Sequence, residues 1–201
     1  MRACLLHGTA GNASIIKQQL RELLVFLEPI DFFAVEGCRI LTSPYHPQLS
    51  EMRALFPEEE VFREFLMSDA SGGFCRVSHF METVLPVVAQ REPCKILGFS
   101  QGALAAILLA SALESVEKVV LFCPVAPSCV LAHVSLERLR RIDCLLVYGK
   151  QDILAEQCTS KFASLFGSIT LLYHEGGHVP LPVGDVATAS EVYSFLTELR
   201  V

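Results

Sequence analysis

Six short stretches of the chain are almost continuously apolar: Arg2 to Leu6, Phe32 to Val35, Cys94 to Phe99, Lys118 to Phe122, Cys144 to Tyr148 and Ile169 to Tyr173. A strand with one wet face alternates apolar and polar residues. These do not, so each is expected to be covered on both faces. Between them lie stretches with helical spacing, Ser14 to Leu27, Ser78 to Ala89, Gln101 to Leu113, Ala155 to Phe166 and Val186 to Leu199. Strands alternating with helices predict an α/β fold: a mainly parallel sheet of about six strands with helices on both faces. No internal repeat, low-complexity tract or polar linker interrupts the pattern, so residues 1–201 are expected to form one domain.

One segment departs from the alternation. Gly37 to Val77 carries Pro44, Pro47 and Pro57, then the acidic-apolar patch Glu58 to Met67, then Ser71-Gly72-Gly73. An excursion of this length inside a compact domain is expected to be a lid or binding loop, with a plain surface loop as the alternative. Its apolar residues Phe56, Phe62, Phe65 and Leu66 must cover something, and they are the expected lining of a substrate pocket, with Cys123 and Val179 beside them.

Composition narrows the partners. A net charge of −6, with no basic cluster longer than Arg138, Arg140 and Arg141, argues against nucleic acid. The most apolar run, Ala103 to Ala110, is too short to span a bilayer, and MRACLLHG leaves no room for a secretory h-region. The eight cysteines are scattered without a C-x-x-C pair, and several fall in apolar runs, as buried reduced thiols do. A cytoplasmic protein with no metal site is expected.

The strongest chemical signal is Gly98-Phe99-Ser100-Gln101-Gly102, placed between an apolar run and a helical stretch. In this G-x-S-x-G turn, crowding leaves space only for glycine on either side of a serine lifted clear of the sheet. Ser100 is thus the expected nucleophile, although a glycine-flanked helix start with serine as N-cap reads the same way locally. A serine hydroxyl needs a base, and in this architecture the acid and then the histidine follow it in chain order. Asp152 comes directly after Cys144 to Tyr148, and His178 comes after Ile169 to Tyr173 behind Gly176-Gly177. Asp143 precedes its strand and lies on the wrong edge; a helix-capping role is the alternative for Asp152. The backbone N–H groups of Thr9, after His7-Gly8, and of Gln101 are the expected oxyanion donors. His7 and His174 are expected to be structural.

Taken with Leu5-Leu6-His7-Gly8, Val35-Glu36-Gly37, Tyr148-Gly149 and His174-Glu175-Gly176-Gly177-His178-Val179-Pro180, the motif makes the chain similar to the FSH-type serine hydrolases along nearly its whole length. The resemblance implies a compact α/β-hydrolase core lacking the outermost strands, hydrolysis of carboxylic esters or thioesters, and catalytic Ser100, Asp152 and His178. The expected substrate is a small molecule, an acyl ester with a hydrophobic acyl group, and no cofactor is required. An acyl thioesterase, or a binding protein on a hydrolase scaffold, are the alternatives.

Overall fold

The computed structural model describes residues 1–26, 30–43, 45–68, 74–153, 161–162 and 164–198. The six apolar runs form one sheet: β1 (Arg2–Leu6), β2 (Asp31–Val35), β3 (Lys95–Phe99), β4 (Lys118–Phe122), β5 (Asp143–Gly149) and β6 (Ser168–His174). Its order is β6-β5-β4-β3-β1-β2, with every pair parallel. The chain runs outward from β1 to β2 on one side and from β3 to β6 on the other. The order therefore reverses between β1 and β3, and a crevice opens there beyond the carboxyl ends of the strands.

Both faces of the sheet are buried along its four inner strands, β1, β3, β4 and β5, as their unbroken apolar runs require. Cys4 and Leu6 of β1 join Ile96, Leu121 and Leu146 in one cluster, while Ala3 and Leu5 join Leu97, Val120 and Val147 in another. The first is closed by α4 (Val77–Ala89), through Phe80, Val84 and Val88, and by α5 (Gln101–Ala112). The second is closed by α1 (Ala13–Gln19), α2 (Arg21–Phe26) and α6 (Val186–Thr197), through Ile16, Leu23, Val192 and Leu196. Helix α5 is buried at every residue from Gln101 to Ala110, which is why it is apolar all round. Among the described residues no helix is long and apolar enough to cross a membrane.

The structure departs from the sequence pattern in three places. The run Ile169 to Tyr173, expected to be covered on both faces, forms the edge strand β6, whose Leu171 and Tyr173 are 43% and 48% exposed. The helix expected over Ser14 to Leu27 is divided at Leu20, whose backbone (φ −103°, ψ 12°) leaves the helical range. The excursion holds its own helix, α3 (Pro47–Leu55), which opens on a proline whose fixed φ and missing N–H suit a first turn. Much of the helix expected over Ala155 to Phe166 lies outside the described residues.

Around α3 the excursion builds a third cluster. Leu41, Leu49 and Phe62 pack with Ala10 and Ile15, and Met52 and Phe56 lie against them. Polar contacts pin the same segment. The Asn12 side chain caps α1 by accepting from Ile15 N–H, and its amide donates to Glu59 and to the Val61 carbonyl. Glu64 is buried and pairs with Arg39 at 2.8 Å. Burial raises the Glu64 pKa and Arg39 opposes the rise.

Candidate active site

Ser100 stands at the end of β3 with φ 53° and ψ −114°, a conformation that costs a side-chain-bearing residue on the order of 1–3 kcal/mol. The neighbouring backbones enforce it. A Cβ on Gly98 would lie 2.3 Å from the Gly102 carbonyl oxygen, and one on Gly102 would lie 2.4 Å from that of Leu6. Only glycine lets the turn sit this close to β1, so the serine emerges at the N-terminus of α5, above the crevice.

The loops after β5 and β6 bring two further groups to the same edge. Lys150 N–H donates to the His174 carbonyl at 2.8 Å and Gln151 N–H to that of Gly176 at 3.0 Å. Across this seam His178 Nδ1 meets Asp152 Oδ2 at 2.7 Å, and His178 Nε2 meets Ser100 Oγ at 3.0 Å. A carboxylate only accepts, so Nδ1 carries the ring proton and Nε2 presents its lone pair to the serine hydroxyl. The Asp152 side chain is 2% exposed and that of His178 35%, leaving the far ring nitrogen and the serine open to a ligand.

Two other histidines brace these loops. His174 is buried; its Nδ1 accepts from Gly176 N–H at 3.1 Å and its Nε2–H donates to the Val179 carbonyl at 3.1 Å, which fixes the turn on which His178 stands. Its pKa is lowered by burial. His7 is fully buried beneath the loop after β1. Its Nε2 accepts from Gly37 N–H at 2.9 Å, so Nδ1–H donates to the Gly8 carbonyl at 2.7 Å. Burial depresses its pKa to about 4, with the Gly8 bond opposing.

The Gly8 carbonyl also accepts from Gly11 N–H at 3.1 Å. In a trans peptide the C=O and the next N–H point in opposite directions. The two bonds to Gly8 therefore turn Thr9 N–H away from His7, and a Cβ on Gly8 would lie 2.9 Å from the Phe99 ring and 3.4 Å from Ser100 Cβ, so this loop runs close to the serine turn. Among the described residues neither Thr9 N–H nor Gln101 N–H donates to another group.

Gln101 does more than contribute its backbone. Its fully buried side chain accepts from Phe65 N–H (2.7 Å) and Leu66 N–H (3.1 Å) through Oε1 and donates to the Leu66 carbonyl (2.8 Å) through Nε2. Every hydrogen-bonding atom but one amide proton is thereby used, and the excursion is clamped to the serine turn. Sequence reasoning assigned Gln101 only its N–H; a polar residue heading a wholly buried helix was the available signal.

The residues expected to line a substrate pocket separate into two groups. Phe62, Phe65 and Leu66 are at most 2% exposed. Phe62 sits in the cluster around α3, Leu66 in the core above the sheet, and Phe65 stacks on His7 with ring centroids 4.4 Å apart. Their apolar character is spent on holding the excursion down. Phe56 and Val179 instead line a groove of about 360 Å³ together with apolar Leu55, Pro180, Leu181 and Val183 and with polar residues of the first two helices. Val179 is the residue next to His178 in the chain, while His178 and Ser100 themselves are not among the residues that line the groove. Cys123 is buried, with φ 42°, and its thiol donates to the Val179 carbonyl at 3.3 Å.

The sequence matches, over residues 1–183, the family described as serine hydrolase (FSH1). The chain belongs to this family. No curated protein matches it. Among solved structures, a carboxylesterase from Mesorhizobium loti superposes with a TM-score of 0.68 at 17% identity, covering 98% of this chain and 88% of that one. Esterase PE8 gives 0.63 at 18% identity, over 99% and 92% of the two chains. A variant of SOBER1 from Arabidopsis thaliana gives 0.63 at 11% identity, over 98% and 97%. Identities this low establish the fold, which is the α/β-hydrolase fold, and family membership makes the protein a serine hydrolase.

Proposed function

We propose that this FSH1-family protein hydrolyses small carboxylic esters with a hydrophobic acyl group, through an acyl-enzyme on Ser100. The observation that carries the reading is the unbroken hydrogen-bond chain from Asp152 through His178 to Ser100. Ser100 Oγ attacks the ester carbonyl as His178 Nε2 takes its proton. Asp152 holds the ring in the one tautomer that can do so and stabilises the imidazolium that forms. The N–H groups of Thr9 and Gln101 receive the oxyanion. The imidazolium then protonates the leaving alcohol, and water, deprotonated by His178, releases the acid.

What supports a hydrophobic acyl group is an apolar groove, lined by Val179, Phe56 and Leu55, that includes the residue next to His178. Each buried methylene is worth about 0.8 kcal/mol, or about fourfold in kcat/KM, until the groove is full. The deciding experiment joins fluorophosphonate labelling to a chain-length series of matched esters and thioesters. Wild type labels and turns over the esters; Ser100→Ala does neither, losing a factor on the order of 10⁶ in kcat. A Ser100→Ala protein within tenfold of wild type would place the nucleophile elsewhere.

A further inference from the structure

Three loops at the carboxyl edge of the sheet bring different metal-binding atoms to one point. Cys123 follows β4, Asp152 follows β5 and His178 follows β6; the Cys123 sulfur, an Asp152 oxygen and a His178 ring nitrogen all lie within 4.8 Å of one another. We propose that this cluster is an inhibitory binding site for a thiophilic divalent cation, zinc above all, built from the acid–base pair and the thiol behind it. Its effect on activity rests on reading Ser100, His178 and Asp152 as a triad; its ligands do not.

The donor set is one thiolate, one carboxylate and one neutral imidazole, the mixture of sulfur, oxygen and nitrogen that suits zinc. Two negative ligands balance a dication, so an ion held there leaves no net charge beside the core. Tetrahedral bonds of about 2.0–2.3 Å hold ligand atoms roughly 3.3–3.7 Å apart. The cluster would close on an ion by drawing the sulfur inward and widening the 2.7 Å contact of His178 with Asp152. The sulfur is already held by the loop that carries His178, with the Val179 and Gly177 carbonyls 3.3 and 3.9 Å away. Without metal, burial, with Asp152 adding to it, keeps the thiol protonated by pushing its pKa up to about 12.

The consequence follows from proton bookkeeping. The cation enters and the Cys123 thiol releases its proton to solvent. The cation takes the Nδ1 lone pair, so the ring proton that stood on Nδ1 passes to Nε2. Nε2–H then faces Ser100 Oγ as a donor and has no lone pair with which to accept the serine's proton. The nucleophile is untouched but has lost its base.

The test titrates Zn²⁺ against hydrolysis of a short p-nitrophenyl ester by the full chain, with chelator added back. Wild type, Cys123→Ala and Cys123→Ser are each referred to their own metal-free rate. Wild type should lose activity reversibly. Both variants should need more than about tenfold more zinc for the same fractional loss, since removing even an outer partner of a metal ligand costs about 10–100-fold in affinity. A parallel titration with Co²⁺ needs no turnover, so it separates failure of the metal site from failure of the hydrolase reading. It should give a thiolate-to-cobalt absorption band in wild type that vanishes in Cys123→Ala. Should the Cys123 variants not fold, Asp152→Asn read by cobalt alone should keep the band at more than about tenfold weaker affinity. Equal zinc sensitivity of wild type and Cys123→Ala, a cobalt band that survives Cys123→Ala, or unchanged cobalt affinity in Asp152→Asn overturns the proposal.

Discussion

His7 offers a sharp test because its burial, its two hydrogen bonds and its pKa point to one outcome. The ring is fully buried and neutral, with Nε2 accepting from Gly37 N–H and Nδ1–H donating to the Gly8 carbonyl. A proton on Nε2 would set two donors against each other and bury a charge. The folded-state pKa of about 4 lies below the ordinary value of 6.5, so between those values the unfolded chain binds the proton and the folded chain does not. Stability from this group is therefore complete above about pH 6.5 and is lost as pH falls toward 4. Linkage makes the loss between pH 7 and pH 4.5 roughly 2–3 kcal/mol. Urea unfolding of wild type and His7→Gln at both pH values isolates it, because the carboxylates and remaining histidines titrate alike in the two proteins and cancel in the difference. Wild type should lose roughly 2–3 kcal/mol more than the variant on acidification, although it is the more stable of the two at neutral pH. Equal losses in both proteins would refute the assignment of a buried neutral His7.

Asp152→Asn should lower kcat by about 10⁴, because an amide can favour the wrong His178 tautomer, whereas Asp143→Asn, at the opposite end of β5, should leave the rate within about twofold; steady-state kinetics on one ester reads both. Phe62→Ala should cost about 3–5 kcal/mol in chemical denaturation without changing the slope of kcat/KM against acyl length. Phe56→Ser should flatten that slope and leave acetyl-ester turnover nearly unchanged; the converse result would move the acyl chain back under the excursion. Gly102→Ala should prevent accumulation of folded protein, since its Cβ would sit 2.4 Å from the Leu6 carbonyl oxygen; a folded and active variant by circular dichroism and turnover would contradict the packing described.

The inner strands could be read in advance because burial on both faces leaves its mark residue by residue, whereas the edge strand β6 is as apolar in sequence but half open to solvent; the serine turn could be read because its glycines fall at a fixed spacing about the serine. The chain order acid-then-histidine was readable for a similar reason: each residue closes a strand, and strand ends in a parallel sheet share an edge. Phe62, Phe65 and Leu66 show where this stops. An apolar residue in an irregular segment has the same signature whether it faces a ligand or the protein's own core, and only the packing around α3 and His7 tells these apart. Helix α3 carried its marker, a proline at its first residue, but three prolines close together read equally well as a loop. Cys123 gave no local sign of its neighbours, because the carbonyls its thiol meets lie 54 and 56 residues away in the loop of His178 and Asp152 lies in a third loop.

The clamp made by the Gln101 side chain has a consequence for motion. Phe65 and Leu66 give their amide hydrogens to a single buried oxygen that belongs to a side chain at the head of α5 rather than to the backbone of a strand or helix. Those two hydrogens can exchange with solvent deuterium only when the excursion lifts from the turn. The hydrogens of β3 and β4, in the middle of the sheet, exchange only when the sheet itself comes apart. Comparing the two sets by mass would time one opening against the other, and the amides of residues 65 and 66 would act as a clock for how often the roof over the serine turn is raised.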